Sequence, residues 1–244
     1  MFASTPSFVA NLLFPALAGI LALALAGCTT APAGSRIDNI PMYGQPEIPR
    51  PAVLKAADEL FIQQAAGGLG SREKAGIAWA MEGEKYMSEG NLDFAMRRYN
   101  QSWLLNPNSY RPYWGFGRIL TEQDKFDEAI KHFEKAKQLI DDDYQKTGLL
   151  SDLGAAYAFK GESISQSNAD ERARYFALAN ENFRESVKLD PKYANAWRQW
   201  AMALYREGDY AGAWEKVKEA RARNAKSFPP TFLRDLDQKM PPPK

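Results

Sequence analysis

The chain has 244 residues, of which 45% are hydrophobic and 25% charged, so it carries enough apolar material to bury a core. Its 31 lysines and arginines balance 30 aspartates and glutamates, and the net charge of +1 leaves no basic excess to neutralise phosphates. One cysteine and one histidine cannot supply a structural zinc site, a disulfide framework or a Cys/His catalytic pair. We therefore expect a binding protein with no nucleic-acid partner, no metal, no other cofactor and no enzymatic activity.

Residues 1–27 have the pattern of an export signal. Residues 12–26 are free of charge and mostly apolar, but the run is too short for a good permanent membrane anchor. It ends in Leu25-Ala26-Gly27-Cys28, which resembles the lipobox of bacterial lipoproteins. That resemblance implies cleavage before Cys28, lipidation of its sulfur and stable anchoring to a membrane. The alternative is a free Cys28 after an ordinary signal peptide, and residues 1–11 lack the usual Lys or Arg.

The residue after Cys28 bears on the membrane to which the chain would be attached. An aspartate there would resemble an inner-membrane retention signal, but the sequence has Thr29. The resemblance therefore implies a location on the periplasmic face of the outer membrane.

Residues 28–50 contain four prolines and no hydrophobic period, which predicts an extended tether. At about 3.1 Å per residue in a polyproline conformation, such a tether could hold the body several tens of ångströms from the membrane. Residues 40–44, Ile-Pro-Met-Tyr-Gly, are its one patch apolar enough to dock, either on the body of the chain or on an external partner.

The sequence then repeats itself with a period of 34 residues. Small residues at fixed positions would let two antiparallel helices approach closely, and aromatic residues would fill the space between helix pairs. The first two copies of the pattern are Trp79, Gly83, Ala95 and Tyr99, and Tyr113, Gly117, Ala129 and Phe133. Two further copies follow, the third of them lengthened by three residues near 141–147 and by thirteen between 161 and 179.

This pattern resembles the tetratricopeptide repeat family over about residues 75–226. The resemblance implies an all-α fold, a right-handed α-solenoid of about four helix pairs occupying residues 71–226. Flanking helices are predicted at 51–66, before a glycine-rich hinge that ends at Gly70, and at 230–240 within a capping helix and tail at 227–244. An array needs such elements to cover its open apolar ends.

Two helix starts can be predicted inside the array. Ser71 is a candidate N-cap for its first helix. Ser167 or Asn168 is a candidate N-cap for a long helix from Ala169 to about Leu189, which leaves 161–168 as an exposed loop. The insertion at 162–174 is either a partner contact or neutral padding.

The repeat register places most tryptophans at packing positions. Trp114 is the exception, because Tyr113 already occupies the packing position. We expect Trp114 to face the concave surface that the first helices of the pairs form. Trp, Tyr and Arg dominate binding energy in protein interfaces, so the same register suggests a partner-binding groove, with solvated surface as the alternative. The candidate residues are Trp114, Arg118, Arg111, Arg198, Tyr205 and Arg206.

Two other functions can be tested against the residues. Chaperone-binding members of the family clamp a terminal carboxylate with Lys, Asn and Arg, but this chain departs from that pattern, so a chaperone tail is not the expected partner. The positions that match the clamp hold Ala80, Glu84, Gly115, Gly148 and Asp152.

His132 lies among charged residues, which predicts a solvated helix face rather than a catalytic base.

The sequence thus predicts a lipid-anchored periplasmic scaffold or adaptor that binds a protein or peptide segment in its concave groove, in envelope assembly. A pilotin-like factor for pilus or secretin assembly and an adaptor that recruits cell-wall hydrolases fit this description equally. A diverged enzyme is the third alternative, and the residue inventory disfavours it.

Overall fold

The computed structural model describes residues 36–243, and all secondary structure in that range is helical. The signal peptide and Cys28 lie outside the described residues. No helix between residues 36 and 243 is long and apolar enough to cross a bilayer. The α-helices of this range are α1 (Ala52–Leu69), α2 (Arg72–Ser88), α3 (Leu92–Leu105), α4 (Tyr110–Glu122), α5 (Phe126–Leu139), α6 (Asp143–Ser163), α7 (Ala169–Leu189), α8 (Ala194–Glu207), α9 (Tyr210–Ala222) and α10 (Pro230–Lys239).

Eight of these helices form four consecutive pairs, α2 with α3, α4 with α5, α6 with α7 and α8 with α9. Each pair packs on the next through its neighbouring helices, α3 on α4, α5 on α6 and α7 on α8. The first helices of the pairs, α2, α4, α6 and α8, also contact one another in sequence along one side. The predicted all-α solenoid of about four helix pairs is thereby confirmed.

A glycine in the first helix of a pair faces an aromatic ring in the second. A Cβ atom at Gly117 would lie 2.7 Å from the ring of Phe133, which is closer than van der Waals contact allows. The 34-residue pattern therefore places glycines where the backbones of two helices must approach. The same contact recurs in three pairs, as Gly83 with Tyr99, Gly117 with Phe133 and Gly154 with Phe183.

Polar side chains cap the N-termini of five array helices, α2, α3, α4, α6 and α9. The Ser71 hydroxyl accepts a hydrogen bond from the Lys74 backbone N–H at 3.1 Å, which confirms the predicted N-cap of α2. The Asp142 carboxylate accepts from the backbone N–H groups of Tyr144 and Gln145 and caps α6 in the same way. The extra residues before α6 therefore provide its N-cap.

The insertion in the third pair lengthens its helices. Helices α6 and α7 have 21 residues each, and α7 begins at Ala169 as predicted, with Asn168 at the N-cap position. The Asn168 side chain makes no capping hydrogen bond, so that part of the prediction is wrong. The loop predicted at 161–168 is wrong in its first part, since α6 continues to Ser163. Arg172 explains the extension, because its guanidinium donates to the carbonyl oxygens of Gly161 and Glu162 and so satisfies acceptors at the end of α6.

The two flanking helices pack on the ends of the array. Ile62 of α1 is buried against Ala75 and Leu105 of the first pair. At the other end, Leu236 of α10 is buried, and the Trp214 indole of α9 donates a 2.7 Å hydrogen bond to the Met240 carbonyl. Both contacts agree with the predicted role as terminal caps.

Residues 36–50, which we call the strap, are docked on the body, whereas the sequence predicts an extended tether there. The buried Asn100 of α3 donates from its amide nitrogen to the carbonyl oxygens of Asp38 and Ile40, at 2.9 Å each. Tyr43 is only 8% exposed, in line with the apolar patch predicted at 40–44. The patch docks on the chain itself.

Arg50 fastens the far end of the strap. Its guanidinium carbon lies 4.1 Å from the centre of the Tyr43 ring, and its Nη2 makes a 2.7 Å ion pair with Asp58 of α1. Both side chains of this ion pair are largely buried, which favours a defined geometry over a transient surface contact.

Candidate functional site

A cleft of about 520 Å³ opens on the side of the solenoid where the first helices of the pairs meet. Helices α2, α4, α6 and α8 all contribute to its walls, so the cleft exists only because the four pairs stack in register. The lining side chains include Ala80, Met81, Glu84, Tyr99, Arg111, Trp114, Arg118, Gln145, Asp152, Tyr193, Asn195 and Gln199.

Trp114 forms the aromatic wall of the cleft at the seam between α4 and α6. Its indole Nε1 donates a 2.9 Å hydrogen bond to Asp152 Oδ2. A Cβ at Gly148 would lie 3.0 Å from the indole ring, so the glycine lets the ring lie close to the α6 backbone. The side chain is partly buried and held in one orientation by contacts on both sides.

Polar side chains form a continuous chain of contacts across the cleft. Glu84 accepts hydrogen bonds from the Tyr99 hydroxyl at 3.1 Å and from the Arg118 guanidinium. The Arg118 Nε lies 3.9 Å from Asp152 Oδ2, so Arg118 stands between two carboxylates. Gln199 of α8 continues the chain by donating to Asp152 Oδ1 at 3.3 Å. The network joins all four helix pairs.

Burial and neighbouring charges shift the pKa values of Asp152 and Glu84 in different directions. Burial raises the pKa of Asp152, although the nearby Arg118 guanidinium acts to lower it. Burial also acts to raise the pKa of Glu84, but hydrogen bonds from Arg118 and Tyr99 outweigh it and leave this pKa below its ordinary value. Glu84 is therefore ionised at neutral pH and holds Arg118 at the centre of the cleft.

Three of the six residues predicted to bind a partner line this cleft, namely Arg111, Trp114 and Arg118. The other three lie elsewhere on α8. The ring of Tyr205 packs edge-on against Phe232 of α10, with 5.6 Å between the ring centroids. The register alone predicts one continuous groove, but the segment after α9 folds back over part of α8.

The two remaining arginines are also engaged outside the cleft. Arg198 donates to the Ser227 carbonyl oxygen at 3.3 Å. Arg206 makes a 2.9 Å ion pair with Glu162, and its guanidinium carbon lies 4.4 Å from the centre of the Phe159 ring. Arg206 thus joins the third and fourth pairs and does not reach the cleft lining.

Several cleft residues were not predicted from the sequence as partner-binding residues. Met81 is the most exposed of the apolar ones, with 65% of its surface accessible. Glu84 and Asp152 occupy positions that match the carboxylate clamp of the chaperone-binding proteins, and that match could have drawn attention to them. Both positions line the cleft of this chain and carry acidic side chains.

His132 is not on a solvated face, and that prediction is wrong. Its ring is stacked on Tyr113 at 6.2 Å and lies edge-on to Phe116 at 5.3 Å. Burial is the main cause that lowers the pKa of His132 to about 4, with a smaller contribution from Lys131. The neighbouring positions in sequence are charged, but the Tyr113 and Phe116 rings of α4 pack against the imidazole and give it a partly buried environment.

The strap also borders a second cleft, of about 460 Å³, between its own residues and the outer side of α5. His132 lies in the wall of this cleft. No cluster of three or more His, Cys, Asp or Glu side chains suited to a metal ion occurs among residues 36–243.

No protein-family model matches the chain, and no curated protein matches it in sequence. Solved structures do match. A chain of the APC/C hetero-tetramer Cut9–Hcn1 aligns with a TM-score of 0.55 and 15% identity over 73% of this chain and 33% of that one. This chain therefore spans about a third of the length of that protein.

Two further structures align with lower scores. Pseudomonas aeruginosa pilF has a TM-score of 0.46 and 19% identity, over 71% of this chain and 79% of that one. MamA has a TM-score of 0.45 and 18% identity, over 73% of this chain and 93% of that one. Together with the stacked helix pairs and the Cut9–Hcn1 alignment, the 34-residue pattern identifies the fold of this chain as a right-handed tetratricopeptide repeat solenoid.

Proposed function

We propose that the chain is a protein-interaction scaffold that holds a segment of a partner protein in the cleft between its first helices. The observation that carries this proposal is the cleft itself, which combines an aromatic wall at Trp114, an exposed apolar side chain at Met81 and an arginine at its centre. Large aromatic side chains and arginine contribute most to binding energy in protein interfaces.

The rigidity of the cleft supports this proposal. Trp114 is hydrogen-bonded to Asp152, and Arg118 is held by Glu84, so neither side chain needs to be ordered when a partner arrives. Ordering a flexible side chain at an interface costs about 0.5–1.5 kcal/mol, and a preformed cleft avoids that cost. The scaffold performs no chemistry in this proposal; it presents a shaped surface.

The cleft proposal is tested with two variants of similar chemistry. Met81→Asp places a charge on the exposed apolar wall of the cleft, while Leu60→Asp places one on α1, outside the cleft, at a side chain 55% exposed. Proteins captured by the unaltered chain from solubilised membranes are quantified against each variant. We expect Met81→Asp to lower capture of the specific partner at least tenfold and Leu60→Asp to leave it unchanged. Equal capture by all three chains contradicts the proposal.

We further propose that lipid on Cys28 anchors the chain to the periplasmic face of the outer membrane, in the service of envelope assembly. The lipobox-like sequence before Cys28 supports this. Anchoring confines the partner near one membrane and raises its effective concentration there without adding any contact. The lipid anchor is tested by feeding cells a labelled fatty acid. Label is expected on the unaltered chain and none on Cys28→Ala, and an unlabelled Cys28 chain contradicts the anchor.

The kind of partner is tested by deleting the gene. A pilotin-like scaffold predicts loss of pilus or secretin assembly, whereas an adaptor for cell-wall hydrolases predicts altered hydrolase level or septation. The Met81→Asp chain should show the same defect as the deletion, because its partner binding is weakened while the fold is kept.

A further inference from the structure

The strap fixes the point at which the N-terminal segment leaves the folded body. Asn100 holds its first residues through two hydrogen bonds, and Arg97 pairs with Asp38 at 3.2 Å. Tyr43 is buried in its middle, and Arg50 ties its end to α1. Arg36, at the start of the strap, therefore has a defined place on the outer side of α3.

The strap lies on the opposite side of the solenoid from the partner-binding cleft. It contacts α3, the second helix of the first pair, and Arg50 at its end pairs with Asp58 of α1. The cleft between strap and array is bordered by Lys131 and Lys135 of α5, the second helix of the next pair. The partner-binding cleft is formed by the first helices, α2, α4, α6 and α8. Two layers of helices, roughly 20 Å in total, separate the two sides.

The docked strap also shortens the connection to Cys28. Only residues 29–35 lie between Cys28 and Arg36, and eight extended steps reach at most about 28 Å. With residues 28–50 fully extended, the reach would be roughly 75 Å. To bring the cleft against a membrane, the short connection would have to pass around both helix layers, which would use roughly 20 Å of its reach of about 28 Å.

We propose that the strap turns the side formed by α3 and α5 towards the bilayer and the cleft towards the aqueous phase. This inference rests on the lipid attachment at Cys28 proposed above. The partner protein then lies in the aqueous compartment, and its segment that the cleft holds does not lie within the membrane.

The side chains around the strap suit contact with hydrated lipid headgroups. Lys131 and Lys135 are exposed cations that can meet phosphate groups, and the exposed Glu47 and Glu128 line the same cleft. Arg36 is also exposed, and it pairs with Asp38 of the strap. A mixture of charges of both signs opposes insertion into the hydrocarbon region. The surface is therefore expected to rest on the headgroups without entering the membrane.

The orientation is tested in vesicles with the chain of residues 28–244. Because Cys28 is its single cysteine, a maleimide lipid attaches there and nowhere else. The vesicles contain phosphatidylethanolamine, phosphatidylglycerol and a headgroup energy acceptor. A fluorescent amino acid replaces either Lys135, on the strap side, or Met81, in the cleft. We expect energy transfer from position 135 to exceed that from position 81 at least twofold.

Two altered chains test whether the strap causes the difference in energy transfer between positions 135 and 81. A flexible Gly/Ser insert of sixteen residues between Ser35 and Arg36 lengthens the connection and leaves the strap intact. Tyr43→Ser together with Asn100→Ala removes the buried ring and two hydrogen bonds that hold the strap, and leaves the residues of the partner-binding cleft unchanged. Each change should remove the difference between the two positions, with helicity unchanged by circular dichroism. Equal transfer from both positions in the unaltered chain, or greater transfer from position 81, overturns the proposal.

The outcome is separable from the fate of the anchor in cells. The maleimide supplies the lipid chemically, so the vesicle measurement reports orientation whether or not cells lipidate Cys28. Fatty-acid labelling reports lipidation alone.

Discussion

The Trp114 indole and the Asp152 carboxylate meet in a 2.9 Å hydrogen bond that joins α4 to α6 at the floor of the cleft. The bond gives Trp114 two roles, because the ring is both a wall of the cleft and a tie between two helix pairs. Replacing it with alanine therefore tests stability and binding together. Variants that separate the two roles are more informative.

Trp114→Phe keeps an aromatic ring in the cleft but removes the N–H donor. Asp152 then loses one hydrogen bond while it stays largely buried, and such a loss costs about 1–3 kcal/mol. We expect the free energy of unfolding in urea to fall by about 1–2 kcal/mol. Partner capture should fall less than with Met81→Asp. A Trp114→Phe chain as stable as the unaltered one would show that the hydrogen bond does not support the fold.

His132 makes the stability of the fold sensitive to pH. The folded chain binds a proton on His132 near pH 4, whereas the unfolded chain binds it near 6.5. Stability from the neutral ring is fully present above pH 6.5 and is lost as the pH falls towards 4, because the unfolded chain takes up the proton first. The loss should be on the order of 2 kcal/mol, less than the full shift implies, since the ring stays partly exposed.

This prediction has a direct measurement, since the chain has one histidine and its imidazole signal in a proton NMR spectrum is unambiguous. The titration midpoint should lie near pH 4. His132→Phe keeps a ring against Tyr113 and Phe116, and its unfolding free energy should lack the His132-dependent fall between pH 6.5 and 4.5. A midpoint near 6.5 would contradict the buried environment.

Gly117 tests the close approach of helices within a pair. Gly117→Ala puts a Cβ atom against the buried Phe133, and overpacking of this kind costs about 1–3 kcal/mol. Gly67→Ala in α1 is the matched control, because no atom lies within 4 Å of the new Cβ. It should stabilise the chain by up to about 1 kcal/mol through helix propensity. Thermal unfolding followed by circular dichroism should show a lower melting temperature for Gly117→Ala and a higher one for Gly67→Ala. A lower melting temperature for Gly67→Ala would contradict the open environment of this position in α1.

The fold was largely predictable because its packing repeats. Gly83 and Tyr99 stand in the same relation as Gly117 and Phe133, and that regularity can be read without coordinates. The end of α6 was not predictable, since it depends on Arg172, which follows the loop and folds back to the α6 carbonyls.

The docking of the strap was only partly predictable. The apolar character of residues 40–44 suggested a docking patch, but Asn100 occupies no position that the repeat explains. Its two hydrogen bonds go to backbone carbonyl oxygens, which any sequence provides. The partly buried state of His132 comes from its contacts with Tyr113 and Phe116 of α4, and the charged residues beside it in sequence gave no sign of them.

The cleft was predictable near its centre and not near its end. Trp114 stood out because Tyr113 had taken the packing position, and both Trp114 and Arg118 line the cleft. Tyr205 occupies an equivalent face further along, but its exposure depends on where α10 lies. The repeat register gives the position of one helix pair relative to the next, but it does not predict how the segment after the last pair folds back.

Photocrosslinking in cells is the most direct test of whether the cleft holds a partner segment. A photoreactive amino acid replaces Met81 in the cleft or, as the matched control, Leu60 on α1. We expect one partner to be crosslinked from position 81, not from position 60, and no longer from position 81 when Arg118→Ala is added. The same partner crosslinked equally from both positions, or none from position 81 in cells where the chain is functional, would contradict it.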